Sequence, residues 1–193
     1  MVQTAETLIF DSQSFLEWEE LQEGKHQLIQ GEVFAMGCAR REHVVVSLNI
    51  ASILKQHLKR KPCQTYISDM KLRVEQADAF FYPDVMVSCD KEDHKAEQLL
   101  STPSLIIEVL SDSTEAFDRG KKFAAYRQIE SLKEYVLIDV KAQRVECFKR
   151  TAENDWLLHI SENQQTCDFI CLDISITLAD IFEDIQTDEI QAV

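Results

Sequence analysis

Two acidic residues stand among residues that are otherwise apolar. Asp84 follows Tyr82-Pro83 and leads into Val85-Met86-Val87, and Glu108 interrupts the run from Leu105 to Leu110. Side chains alternate along a strand, so Glu108 shares its face with Ile106 and Leu110. A lone carboxylate on such a face loses hydration worth several kcal/mol. Protonation, a cationic partner or a bound metal would each relieve that cost. If Asp84 converges on Glu108, a divalent ion is the economical solution, and oxygen donors favour Mg²⁺ or Mn²⁺ over zinc. The competing solution is a structural ion pair with a nearby Lys or Arg. A third group comes from the next helical pattern, where Asp118, Lys122 and Tyr126 recur at i, i+4 and i+8. This stripe borders the apolar arc of Ala116, Phe123 and Ala124, which lets Lys122 lie along the sheet. The plainer alternative is an Asp118–Lys122 pair on one helix, worth roughly 0.2–0.5 kcal/mol.

These residues need a scaffold, and the chain is long enough to supply one. Its 193 residues suit a single domain with a core that needs no disulfide staple. The pattern divides it into an N-terminal helical and hairpin extension over about 1–40, a core over about 41–150 and an acidic C-terminal extension over about 151–193. A helix is expected over Phe10–Glu23, capped by Ser12 or Ser14 and ended by Gly24. A hairpin follows over Leu28–Met36. The strongest helix runs from Glu42 to Lys59, with Val44, Leu48, Ala51, Leu54 and Leu58 on its apolar face and Pro62 as its stop. Strands are expected over Thr65–Val74, Ala79–Ser88 and Ser104–Ser111, with a loop or short helix over Asp90–Ser101. A helix over Glu115–Ile129 follows, with Asp112 and Glu115 at capping-box spacing and Ser113 or Thr114 as rival caps. Glu134–Asp139 and Arg144–Lys149 read as paired strands, and Trp156–Ile160 adds another. The order implies an α/β (α+β) fold with a mixed central sheet flanked by helices.

Composition narrows the function classes. The formal net charge is −14, from 34 acidic against 20 basic residues, so net charge does not hold this chain on nucleic acid. Basic clusters at Arg40–Arg41, Lys55–Lys61 and Arg119–Lys122 leave local contacts open. The pattern has no apolar run long enough for a membrane helix, and Met1–Phe10 has no leader-like pattern, so a cytoplasmic protein without a membrane role is expected. The six cysteines are expected to be reduced thiols; Cys167 and Cys171 lie four apart without a second close pair to complete a zinc site. No Gly-rich phosphate loop, Gly-x-Ser-x-Gly elbow or His-Glu-x-x-His helix is present.

The segments Tyr82-Pro83-Asp84, Glu108-Val109-Leu110-Ser111 and Asp118-Arg119-Gly120-Lys121-Lys122-Phe123-Ala124-Ala125-Tyr126 together resemble the PD-(D/E)XK nuclease superfamily. More narrowly, they resemble its Uma-type family of restriction-endonuclease-like proteins, abundant in cyanobacteria. The likeness spans about Leu28–Phe148 and takes in Gly31-Glu32, Glu42-His43, Ser68-Asp69-Met70 and Glu134-Tyr135. It implies a restriction-endonuclease-like core and Mg²⁺-dependent hydrolysis of DNA phosphodiester bonds, leaving a 3′-hydroxyl and a 5′-phosphate, in a homodimer that cuts two strands. On this resemblance Asp84, Glu108 and the backbone carbonyl of Val109 would hold Mg²⁺ or Mn²⁺, and Lys122 would position or deprotonate the attacking water. Glu32, Glu42, His43, Asp118 and Tyr126 are accessory candidates; His43 reads equally as a polar contact at a helix start. Two departures stand out. Leu110 occupies the position where the superfamily often has lysine, and His26-Gln27-Leu28 replaces the family's usual Tyr-Glu-Leu, with Gln30 in place of a frequent Asp. Gln27 removes a negative charge, so the alternative is a catalytically inactive, nuclease-derived domain that binds nucleic acid or a protein.

Overall fold

The computed structural model describes residues 9–163 and 165–186. Its first helix, α1 (Ser12–Glu19), is shorter than the pattern suggests and is capped by Asp11 rather than by Ser12 or Ser14, because the Asp11 side chain accepts from the Ser14 amide. The hairpin β1 (His26–Ile29) and β2 (Glu32–Ala35) turns at Gln30 and Gly31, both with positive φ. That is the two-residue turn that matches strand twist. A Cβ on Gly31 would come within 2.7 Å of Ile9, so only glycine fits there.

The long helix α2 (Arg41–His57) forms as expected, but a different stripe faces inward. Val46, Ile50, Ala51, Leu54 and Leu58 are buried, whereas Val44 and Leu48 are 53% and 61% exposed. The helix carries apolar residues over more arc than one sheet can cover, and the pattern alone does not choose between the two stripes.

Two expected strands are each divided between two sheets. β3 (Gln64–Ile67) and β4 (Lys71–Val74) flank the Ser68-Asp69-Met70 turn, and β5 (Ala79–Phe81) and β6 (Val85–Ser88) flank Tyr82-Pro83-Asp84. The segment expected as a loop or short helix holds a 3-10 turn (Asp93–Lys95), and the short strand β7 (Leu99–Leu100) follows it before β8 (Pro103–Val109). Beyond it come α3 (Glu115–Phe117), a π-helical turn over Asp118–Lys122, and α4 (Phe123–Tyr126), in place of one regular helix reaching Ile129. The capping box does not form: Asp112 pairs with Lys141, and Thr114 precedes α3 without a side-chain cap bond. The strands β9 (Glu134–Asp139), β10 (Arg144–Arg150) and β11 (Trp156–Ser161) complete an antiparallel meander. A final hairpin, β12 (Thr166–Phe169) and β13 (Ile174–Thr177), leads into α5 (Leu178–Ile181).

The principal sheet has the order β11-β10-β9-β8-β6-β3 and is mixed, with β8 and β9 parallel. Val85, Val87, Leu105, Ile107, Val109, Val136 and Ile138 face one core, shared with α2, α5 and the last hairpin. The alternate residues Met86, Ile106, Tyr135 and Leu137 face a second core, shared with Tyr126 and with Leu72, Val74 and Phe81 of the second sheet, β2-β1-β5-β4-β7. Residues late in the chain, among them Cys167, Phe169, Leu172, Ile176 and Ile181, belong to the first core.

One thiol expectation is corrected. Gln64 pairs with Ser88 across β3 and β6, so Cys63 and Cys89 are the next residues on each strand, and they form a disulfide. Strand register brings them together, which their 26-residue separation in sequence conceals. Cys38, Cys147, Cys167 and Cys171 are free thiols. Burial pushes the Cys167 thiol up to about 12, away from reactive thiolate.

The choice of stripe on α2 can be measured. Ile50→Ala and Leu54→Ala should each cost about 2–5 kcal/mol in urea unfolding, whereas Val44→Ala and Leu48→Ala should stay within about 0.5 kcal/mol of the parent. Comparable losses for both pairs would contradict the burial seen here.

Candidate functional site

The site forms where the chain leaves one sheet for the other. Pro83 has no amide to give to a ladder and fixes its own φ, so β5 and β6 cannot be one strand. The last ladder pair between β6 and β8 is Val85↔Ile107, which puts Asp84 opposite Glu108 one step beyond it. Three contacts hold Asp84. The Val109 amide donates to Oδ2 at 2.8 Å, His43 Nε2 lies 2.8 Å from Oδ1, and the Ser68 amide donates to the backbone carbonyl at 3.2 Å.

Glu108 lies deeper. Tyr126 donates its hydroxyl to Oε1 at 2.8 Å, and Lys122 Nζ lies 3.0 Å from the same oxygen. Lys122 also pairs with Asp118 at 2.9 Å, so both sequence alternatives for this lysine are realised together. Glu108, Asp118 and Lys122 are all under 5% exposed, whereas the side chains of Asp84 and His43 are 16% and 18% exposed. The cluster therefore opens to solvent through Asp84 and His43. Tyr135 adds a further bond, donating to the carbonyl of Asp118 at 3.0 Å. The π turn is the local device that aims these groups. It widens the helix at Asp118–Lys122 and turns both ends of the segment inward, as π turns at functional sites commonly do.

The electrostatics follow from two carboxyls sharing one ammonium without water. Burial pushes Glu108 up to about 8; Asp118 and Asp84 add to the rise, while Lys122 and the Tyr126 hydroxyl oppose it. Burial works to lower Lys122, but Glu108 and Asp118 outweigh it and raise the lysine above its ordinary value. The two carboxyls thus hold Lys122 toward its ammonium form. Burial lowers His43 too, but the hydrogen bond and charge of Asp84, with Glu108 and Asp118 behind them, raise it overall. His43 Nδ1 is sealed from solvent with no partner among the described residues.

The other candidates divide. Asp118 and Tyr126 join the cluster, and His43 joins it through Asp84. Glu42 is partly exposed beside Arg41, and Glu32 is exposed at the turn end of β2, so neither joins it. Val109 meets Asp84 through its backbone amide. Leu110 packs against the second core, and the lysine that meets Glu108 is Lys122, from the helical segment that follows. Gln27 is buried, and its Oε1 has no partner among the described residues. Tyr135 entered the sequence reading only within the Glu134-Tyr135 pair of the resemblance, and its position in an apolar strand gave no sign that its hydroxyl would brace the helix.

The donor set suits a hard divalent cation. Asp84 and Glu108 offer carboxylate oxygens, and Mg²⁺ commonly takes one or two carboxylates and completes its shell with water and substrate phosphate. A self-sufficient cage is absent: among the described residues no group of three or more His, Cys, Asp or Glu is arranged to hold a metal.

Comparison with known proteins gives the family and the fold. The model of the Uma2 family, described as "Putative restriction endonuclease", matches residues 12–179. The "Uncharacterized protein slr1290" of Synechocystis sp. is 35% identical over 146 residues, 76% of this chain and 77% of its own length. The "Uncharacterized protein sll1609" of the same organism is 35% identical over 160 residues, 82% of this chain and 90% of its own. A crystal structure from Anabaena variabilis, described as "a putative nuclease belonging to DUF820", shares the fold with a TM-score of 0.74 at 15% identity, covering 90% of this chain and 97% of that one.

The buried cluster makes stability depend on pH in a defined direction. Glu108 titrates above its ordinary 4.5, so the fold favours its neutral form. That contribution is complete below 4.5 and is lost as pH rises through about 8. His43, also raised, loses its contribution above 6.5 in parent and variant alike. Without divalent metal, the melting temperature of the parent should therefore fall relative to Glu108→Gln between pH 4.5 and 8. Parallel curves would refute the raised carboxyl. Lys122→Met should cost about 3–5 kcal/mol at pH 7, because it leaves two buried carboxyls without a cation.

Proposed function

Because the chain belongs to the Uma2 family of restriction-endonuclease-like proteins, we propose that it is a Mg²⁺-dependent endonuclease that hydrolyses DNA phosphodiester bonds. One observation carries this reading: Asp84, Glu108 and Lys122, from three separate segments, form one cluster in which Glu108 and Lys122 are buried and Asp84 is the member partly exposed to solvent. Asp84 and Glu108 would hold the Mg²⁺, which when bound supplies Lewis-acid neutralisation of the scissile phosphate.

The residues of the chain do the rest. The Val109 amide and His43 fix the carboxylate of Asp84 from two sides. Tyr126 fixes Glu108 and remains a neutral donor, since burial and then Glu108 raise its hydroxyl well above the ordinary value. Lys122 is too deeply buried to touch a phosphate directly. Its charge instead favours an ionised Glu108 and offsets negative charge that develops nearby, a preorganised electrostatic effect. The attacking water needs another acceptor for its proton, and the solvent-side oxygens of the site or the substrate phosphate are the groups available. Arg40 and Arg41, just before His43 in sequence, and Lys121, next to Lys122, are exposed. Such side chains would supply local positive charge on a chain whose net charge is −14.

A second reading has its own observation. Glu108 is held largely neutral by burial, and a neutral carboxyl is a poor metal ligand. With Gln27 in place of an acidic residue, this supports a nuclease-derived domain that binds nucleic acid or a protein without cleaving it.

Plasmid cleavage in Mg²⁺ and calorimetry with Mn²⁺ separate the two. The endonuclease should bind Mn²⁺ and nick supercoiled DNA, and Asp84→Ala, Glu108→Ala and Lys122→Ala should each lose about 100-fold or more in rate while circular dichroism shows a folded chain. Binding of Mn²⁺ that survives both carboxylate substitutions, or no heat at millimolar Mn²⁺, would favour the inactive domain.

A further inference from the structure

The segment that carries Asp84 belongs to neither sheet. β5 makes its last ladder pair at Leu72↔Phe81, and β6 makes its first at Val85↔Ile107. Between them Tyr82, Pro83 and Asp84 have no strand partner, so other contacts must fix where the aspartate sits. Besides the bonds that Val109, His43 and Ser68 make to Asp84 itself, contacts to this segment come from the N-terminal part of the chain, which the site has not otherwise used.

Tyr82 is buried and donates its hydroxyl to Glu19 Oε1 at 3.0 Å. Glu19 is itself buried at the end of α1, with no Lys or Arg partner among the described residues. It is satisfied by donors instead: the His26 amide at 2.8 Å to Oε1 and His26 Nδ1 at 2.9 Å to Oε2. A second line of contacts runs in parallel. The ammonium of Lys25 lies 5.7 Å from the Tyr82 ring centre and donates to the Ser68 carbonyl at 3.2 Å. The Ser68 amide in turn donates to the carbonyl of Asp84 at 3.2 Å. Two routes thus lead from α1 and β1 to the same aspartate.

We propose that Glu19 and Tyr82 form an anchor that sets the position of Asp84, which makes both positioning residues of the site. The claim that this matters for metal binding rests on the reading of Asp84 as a ligand. A carboxylate ligand must be held within about 0.5 Å of its working geometry, and the Tyr82 hydroxyl, two residues before Asp84, ties the crossover to α1 in addition to the bonds that Asp84 itself makes with His43 and Val109. A purely structural role would alter the melting temperature and leave ligand geometry untouched.

The Val109 amide gives a readout independent of metal, because its hydrogen bond ends on Asp84 Oδ2. Hydrogen exchange at this amide should quicken about tenfold in Tyr82→Phe and in Glu19→Ala, relative to the ladder amides of Ile106 and Ile107, an effect of one broken bond of ordinary strength. Glu19→Gln retains an oxygen that can accept from Tyr82, so it should stay near the parent rate. Mn²⁺ affinity by calorimetry should fall by a similar factor in the first two variants and recover in the third. Unchanged Val109 exchange in Tyr82→Phe and Glu19→Ala overturns the anchor, even if the parent binds Mn²⁺. If Val109 exchange responds but the parent binds no Mn²⁺, the anchor stands and the metal reading fails. Should Tyr82→Phe not fold, the Glu19→Ala and Glu19→Gln pair decides by the same two measurements.

Discussion

Two carboxyls and one ammonium share a volume from which water is excluded, and the surrounding structure is arranged to make that tolerable. Lys122 answers both Glu108 and Asp118, yet one positive charge cannot balance two negative ones. The remaining charge is relieved by the Tyr126 hydroxyl and by the tendency of Glu108 to keep its proton. Replacing the cluster with apolar residues would cost little or even stabilise the fold, as it often does for buried ion pairs. Its retention therefore argues for work other than stability. The partly exposed Asp84 and His43 show where that work meets solvent.

Much of this was legible in the sequence because charge in an apolar strand is conspicuous. Glu108 and Asp84 declared themselves by their neighbours, and Lys122 by its spacing from Asp118. The β9–β10 hairpin and the body of α2 followed from ordinary patterning. The division of two strands between sheets was marked by Pro83 and by the Ser68-Asp69 turn, but patterning alone does not say that the halves part company. The π turn left no mark, since Asp118 and Lys122 have the same spacing in a regular helix. The last hairpin was hidden for a different reason. Its apolar positions, Cys167, Phe169, Leu172 and Ile176, are diluted by acidic neighbours and by a 3-10 turn that shifts the alternation.

Contacts distant in sequence were the least legible. The Cys63–Cys89 cross-link follows from pairing Gln64 with Ser88, and Tyr82 meets Glu19 across 63 positions. Both bear on the stretch between β3 and β6, which contains Ser68 and Asp84. This stretch gains little from regular ladders near the aspartate and is secured from outside: by a covalent link at one end of the strand pair, by α1 through Tyr82, and by β8 through Val109. The acidic surface is the background against which such local ties matter, because long-range attraction contributes nothing to holding an anionic ligand on a chain of net charge −14.

The π turn makes the site sensitive to length as well as to composition. Such a turn holds one more residue than the regular helix would need. Removing Arg119, Gly120 or Lys121 lets the backbone relax to regular hydrogen bonding and shifts Asp118 and Lys122 relative to each other, one residue being worth about 100° of helix. Lys122 could not then keep its contacts with both Glu108 and Asp118, although every side chain with chemical interest would still be encoded. A one-codon deletion there is a route to a silent descendant that keeps the fold, the family signature and all the expected letters.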